Sequence, residues 1–163
     1  MGTTTTGNEV LARHLAAEAA HDPEAAAATY HDDCWYENAA LGLRFAGRDL
    51  VAFQYATSWQ LIPDMAARYD WELDLGDTIV QCGRITGTAG GDVLGVPASG
   101  GPLDFEFTAV ISFRDGLMEG ERIWYDLDGF CRQAGADIGA VRQAAHDLAA
   151  AVAAPGLANA DVH

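Results

Sequence analysis

Asp126 closes a run of β-forming residues, about 118 to 127, in which alternation sets Arg122, Trp124 and Asp126 on one face and Ile123, Tyr125 and Leu127 on the other. A carboxyl group turned into an apolar pocket is held toward its neutral form, which brings its pKa near the working pH for proton transfer. Asp126 is therefore the first candidate for acid/base chemistry, with Trp124 beside it; the alternative is a strand-end aspartate paired with Arg122 or with water. Tyr36, Tyr55, Trp59 and Trp124 offer ring faces on which a flat or polyene ligand would stack, or else they pack as ordinary core. Arg84, in a β-rich stretch, would bind a carboxylate or phenolate, or pair with a nearby acid.

Other chemistries lack their residues. The chain has no lysine, which excludes Schiff-base catalysis, a lysine-bound pyridoxal cofactor and a phosphate loop ending in lysine. His31, Asp32, Asp33 and Glu37 follow no established ligand spacing, so no metal is expected. Ser58, Ser99 and Ser112 sit in no nucleophile elbow. A net charge of −15, with nine scattered arginines as the basic residues, repels nucleic acid. Cys34, Cys82 and Cys131 are too far apart for a redox pair or metal knuckle and read as reduced, mostly buried thiols. With no apolar run long enough to span a bilayer and no secretory signal in MGTTTTGNE, a cytoplasmic protein without membrane partners is expected.

The elements that must position these residues change type along the chain. Residues 1–7 read as a tail. Val10, Leu11, Leu15, Ala16 and Ala19 recur at helical spacing up to His21 and Asp22, and Pro23 opens a second helix to about Tyr30. A short strand, 34–38, precedes a turn at Gly47 and a third helix that ends before Pro63. From there β-rich stretches at about 67–75, 78–88, 104–113 and 118–127 are parted by glycine-containing turns. Residues 89–102, AGGDVLGVPASGGP, form a long hairpin loop or pocket rim. Residues 137–154 form an alanine-rich helix and 155–163 a second tail. Helices first and sheet later give an α+β domain over residues 8–136, with helices on one face of a curved antiparallel sheet.

His21-Asp22-Pro23, Tyr30-His31-Asp32-Asp33, the Gly47 turn, Ile62-Pro63-Asp64, Gly87-Thr88, Phe113-Arg114-Asp115-Gly116 and Trp124-Tyr125-Asp126 followed by Gln133-Ala134-Gly135 fall in an order and spacing that resemble the SnoaL-like polyketide cyclases of the nuclear transport factor 2-like superfamily. The resemblance implies a cone-shaped α+β barrel closed by helices around an apolar cavity, with the outer sheet face used for homodimerisation. It implies a cyclase that needs no metal or organic cofactor and uses an aspartate at the position of Asp126. Relatives that act as isomerases, dehydratases or epoxide hydrolases, or that only bind a ligand, remain alternatives.

Against the ketosteroid isomerase branch of the superfamily, His14 stands where that branch resembles a tyrosine donor, Asn38 where it carries the base aspartate, and Ala109 about where its second acid lies. Asn38 cannot abstract a proton and Ala109 cannot donate one, so steroid isomerisation is not expected. His14 and Asn38 are left as donors that hold a substrate carbonyl or enolate while Asp126 moves protons. The strand Phe105 to Phe113 lacks the histidine common in the cyclase branch and alternates Phe105, Phe107, Ala109, Ile111 and Phe113 on one face. The expectation is thus a shape-directed cyclase acting on a hydrophobic small molecule of polyketide type.

Overall fold

The computed structural model describes residues 7–153. Its elements are α1 (Gly7–Ala19), α2 (Pro23–Ala27), β1 (Tyr30–Asn38), β2 (Leu43–Ala46), α3 (Arg48–Leu61), β3 (Ala66–Asp74), β4 (Thr78–Thr88), β5 (Pro102–Arg114), β6 (Leu117–Tyr125), α4 (Leu127–Ala134) and α5 (Ile138–Ala153). The expected tails fall outside the described residues except for Gly7, which opens α1.

The strands form one six-stranded sheet in the order β2-β1-β6-β5-β4-β3. All neighbours are antiparallel except β1 and β6, which run parallel with Tyr36 opposite Glu121 and Asn38 opposite Ile123. The sheet is curved and mixed rather than wholly antiparallel, and β2 and β3 remain its edges, so the barrel is not closed. Burial alternates along β5, where Leu103, Phe105, Phe107, Ala109 and Ile111 face inward. That is the period-two pattern of a strand with one face on a core.

Helices cover the concave face because each carries an apolar stripe. In α1 the buried positions are Val10, Leu11, His14 and Ala17, one face of a 3.6-residue period that includes a histidine. The helix ends at Ala19; in the turn that follows, His21 has a φ of 52° that lets the chain reverse, and Asp22 then caps α2 by accepting from the Ala25 amide at 2.9 Å, with Pro23 in the first turn. The second helix is shorter than expected. Thr29 and Tyr30 leave it, and Tyr30 starts β1, because the Met118 amide donates to the Thr29 carbonyl and draws the chain onto β6.

Two elements were not expected from the sequence. One is β2, which pairs with β1 through only four residues. The other is α4, which begins directly after Tyr125 and so ends β6 two residues earlier than its composition suggests. No helix among the described residues is long and apolar enough to cross a membrane.

Candidate active site

Between the concave sheet face and the helices lies a cavity of about 780 Å³. Its walls come from Leu43, Phe45, Ile85, Phe105, Phe107 and Ile123, from Leu61 at the end of α3 and Met65 beyond it, and from Ala144 and Leu148 of α5. The glycine-rich segment after β4 supplies Gly91, Asp92, Val93 and Leu94 to the same cavity, as a rim should. A volume of this order suits a multi-ring or long-chain ligand.

A compact polar group is set into this apolar wall. His14 on α1, Glu18 one turn later and Glu121 on β6 bring their side chains within 4.8 Å of one another. His14 Nε2 is 3.4 Å from Glu18 Oε1 and 3.9 Å from Glu121 Oε2. The hydroxyls of Tyr30 and Tyr55 each donate to Glu121 Oε2 at 2.8 Å, while Oε1 takes no hydrogen bond from any described residue. Tyr55 Oη also lies 3.0 Å from His14 Nε2.

The protons can be placed by following the donors. Thr29 Oγ1 donates to the Ala26 carbonyl at 2.6 Å, so at its 2.9 Å contact with His14 Nδ1 it must accept. That puts a hydrogen on Nδ1. With the Tyr55 hydrogen directed to an ionised Glu121, the contact between Tyr55 and Nε2 is met by a second ring hydrogen, the imidazolium form of His14, whereas a protonated Glu121 reverses both contacts and leaves Nε2 an acceptor. Burial opposes that charge, but Glu18, by charge and by hydrogen bond, and then Glu121 outweigh it and raise the His14 pKa. Burial also pushes the Glu121 carboxyl up, and the Glu18 charge adds to this against the pull of His14 and the two tyrosines. Both groups hold protons more tightly than in water.

These three side chains are also the group among the described residues with donor atoms suited to a divalent cation. Coordination through His14 would require its ring nitrogen to give up its hydrogen, while Glu121 Oε1 is open among the described residues. The hydrogen bonds present join the three side chains and the two tyrosines into one network.

Of the residues singled out in the sequence, His14, Asn38, Tyr36, Tyr55 and Trp59 line the cavity. Trp59 stacks on Tyr55 at 5.4 Å and on His21 at 5.1 Å, which makes an aromatic wall beside the polar group. Asn38 is not paired with His14. Its Oδ1 accepts from the Leu41 amide and its Nδ2 donates to the Tyr125 hydroxyl, nearer the other end of the cavity.

Asp126, Trp124 and Arg84 are elsewhere. Asp126 is exposed at the N-cap of α4, since the chain turns into the helix before its side chain can project inward. The alternation on β6 is as expected but the faces are exchanged: Glu121, Ile123 and Tyr125 line the cavity, while Arg122 and Trp124 face out, with the guanidinium 5.3 Å from the indole centroid. Arg84 also faces out and pairs with Asp104 and Glu106, each at 2.8 Å.

A family model for the SnoaL-like polyketide cyclases matches residues 8–134. The chain belongs to the SnoaL-like polyketide cyclase family. Among solved structures, this SnoaL-like chain resembles a protein of Jannaschia sp. CCS1 assigned as a SnoaL-like polyketide cyclase, with 18% identity over 84% of this chain and 98% of that one and a TM-score of 0.73. It also resembles TsrD from Streptomyces laurentii, with 25% identity over 80% and 95% of the two chains and a TM-score of 0.68. A Catenulispora acidiphila protein with a ketosteroid isomerase-like fold, crystallised with trimethylamine, gives 19% identity, coverage of 83% and 98%, and a TM-score of 0.68. No curated protein matches in sequence. The SnoaL-like fold explains the cavity, while the buried His14, Glu18 and Glu121 group is read from this chain's own residues.

Proposed function

We propose that the protein closes a ring in a polyketide-type molecule by proton transfer, with Glu121 and His14 in the roles first sought at Asp126. The observation that carries this reading is the buried His14–Glu121 pair, bridged by Tyr55, on the wall of an otherwise apolar cavity. In an intramolecular aldol step, Glu121 Oε1 takes a proton from the carbon next to one substrate carbonyl. The enolate carbon bonds to a second carbonyl carbon, whose oxygen becomes an alkoxide. His14 returns a proton to that alkoxide through the Tyr55 hydroxyl, and the proton on Glu121 passes back along the same contacts. No redox partner or cofactor is needed. The apolar walls fold the chain so that the two carbons meet, which supplies much of the rate.

Poly-β-ketone esters of graded length, followed by mass spectrometry for ring closure, test this. Wild type and Asp126→Asn should cyclise a fitting ester, and Glu121→Gln should not; equal rates for wild type and Glu121→Gln would end the proposal. Isomerisation or dehydration would use the same pair on a different substrate.

The exposed Trp71, Leu73 and Trp124 on the convex face support the expected homodimer. Light scattering of wild type and Trp71→Glu checks it, a monomeric wild type being the adverse result.

A further inference from the structure

The cavity has a second polar end that the ring-closing residues do not use. Tyr125 lies on β6 four residues beyond Glu121, on the same face, with its ring packed against Phe105 and Phe130 at 5.3 and 5.7 Å between centroids. Asn38 Nδ2 is 3.2 Å from its hydroxyl. The amide orientation is fixed, because the Leu41 N–H occupies Asn38 Oδ1 and leaves only the NH₂ to face the phenol. Tyr125 is thus the acceptor in that contact, and among the described residues its own hydrogen has no acceptor. Burial raises its pKa to about 12, so the hydrogen is retained across the physiological range.

A fixed phenol with an uncommitted hydrogen, on the wall of an apolar cavity, is a donor for a ligand oxygen. Four strand residues separate the Cα atoms of Glu121 and Tyr125 by about 13 Å, and the concave curvature brings the side-chain tips nearer than that. We propose that Tyr125, positioned by Asn38, binds a carbonyl or hydroxyl oxygen at the far end of the substrate, and that the substrate is an elongated apolar molecule oxygenated at both ends. The inference rests on the assignment of the reacting end to Glu121 and His14, and it gives Asn38 a positioning role. Poly-β-ketones, with oxygen on alternate carbons, belong to this class.

Binding alone tests it, independently of turnover. The probes are 2,10-undecanedione, its isomer 2,5-undecanedione with both carbonyls near one end, and 2-undecanone, titrated into the full chain by calorimetry. Wild type should bind the 2,10-isomer about fivefold more tightly than either of the others, the effect of one additional buried hydrogen bond. Tyr125→Phe should abolish that preference and leave the affinity for 2-undecanone within about twofold. Asn38→Asp keeps the phenol but draws its hydrogen onto the new carboxylate, and should abolish the preference too. Equal affinity of wild type for the two isomers, no binding of any probe, or a preference that survives Tyr125→Phe overturns the proposal. Loss of ring closure in Glu121→Gln together with equal affinity of wild type for the two isomers would remove Tyr125's role and leave the ring-closing pair, whereas retained ring closure in Glu121→Gln with an intact probe preference would remove the pair and leave Tyr125 as a donor to the ligand.

Discussion

The hydroxyl of Tyr55 lies 2.8 Å from Glu121 Oε2 and 3.0 Å from His14 Nε2, so one phenol joins the acid and the base of the cavity. Tyr55 sits on α3, His14 on α1 and Glu121 on β6, and the three elements meet only in the folded chain. The bridge is tertiary structure in the strict sense.

Tyr55→Phe keeps the ring and its stacking on Trp59 while removing the bridge. Losing a buried hydrogen bond to a charged group costs about 1.5–3 kcal/mol. Thermal unfolding should fall accordingly, and kcat for ring closure by about tenfold or more. A variant as stable and as fast as wild type would show that the phenol is mere packing.

Glu121→Gln removes the proposed base and leaves a side chain of nearly the same shape. The rate should drop by about 10²–10⁴-fold, with ligand affinity changed little. Single-turnover measurement separates the two effects, and a change confined to KM would argue for a binding role only.

The pH dependence has a definite sign. His14 and Glu121 both have folded pKa values raised above their ordinary 6.5 and 4.5, so the folded protein binds more protons than the unfolded chain between those values and the raised ones. The stabilisation is complete below the unfolded values and is lost as pH rises through the folded ones. The melting temperature should decline with rising pH from about 5 upward, and the decline should flatten in Glu121→Gln. Asp33, Asp64 and Asp74, held below 3.8 by hydrogen bonds to Arg114, Thr88 and Gly76, act in the opposite sense, as pH falls through their folded values. A melting temperature that climbs between pH 5 and 8 would contradict the assignment.

Asp126→Asn should leave ring closure within about twofold of wild type and stability within about 0.5 kcal/mol, as for an ordinary surface change. A rate loss comparable to that of Glu121→Gln would restore Asp126 to the mechanism and displace the buried pair.

The order of helices and strands was legible because periodicity and turn residues are local signals. His14, Tyr36, Asn38, Tyr55 and Trp59, for which spacing and family landmarks left ordinary packing or a surface role open, line the cavity. The polar group was not legible. Glu121 sits among Met118, Ile123 and Tyr125, and an acid on the buried face of a strand carries no local mark distinguishing it from one on the exposed face. The available signals were Glu18 at one helical turn from His14, and the choice between the two faces of β6. That choice was settled for Asp126 by position, whereas the chain leaves the strand at Tyr125 because Leu127, Phe130, Cys131 and Ala134 form the buried stripe of α4. Helical periodicity across 127–134 was the competing signal that decided the matter.

The alternation along β6 ties the substrate to the genetic text in an unusual way. Residues 121, 123 and 125 share one wall, so a single inserted or deleted residue between them would turn one polar end of the cavity out into water, and only a change of two would preserve both. Relatives that handle longer or shorter molecules are therefore expected to differ by replacements at these positions or by paired insertions. Within this strand, the spacing between the two polar ends changes only in steps of two residues.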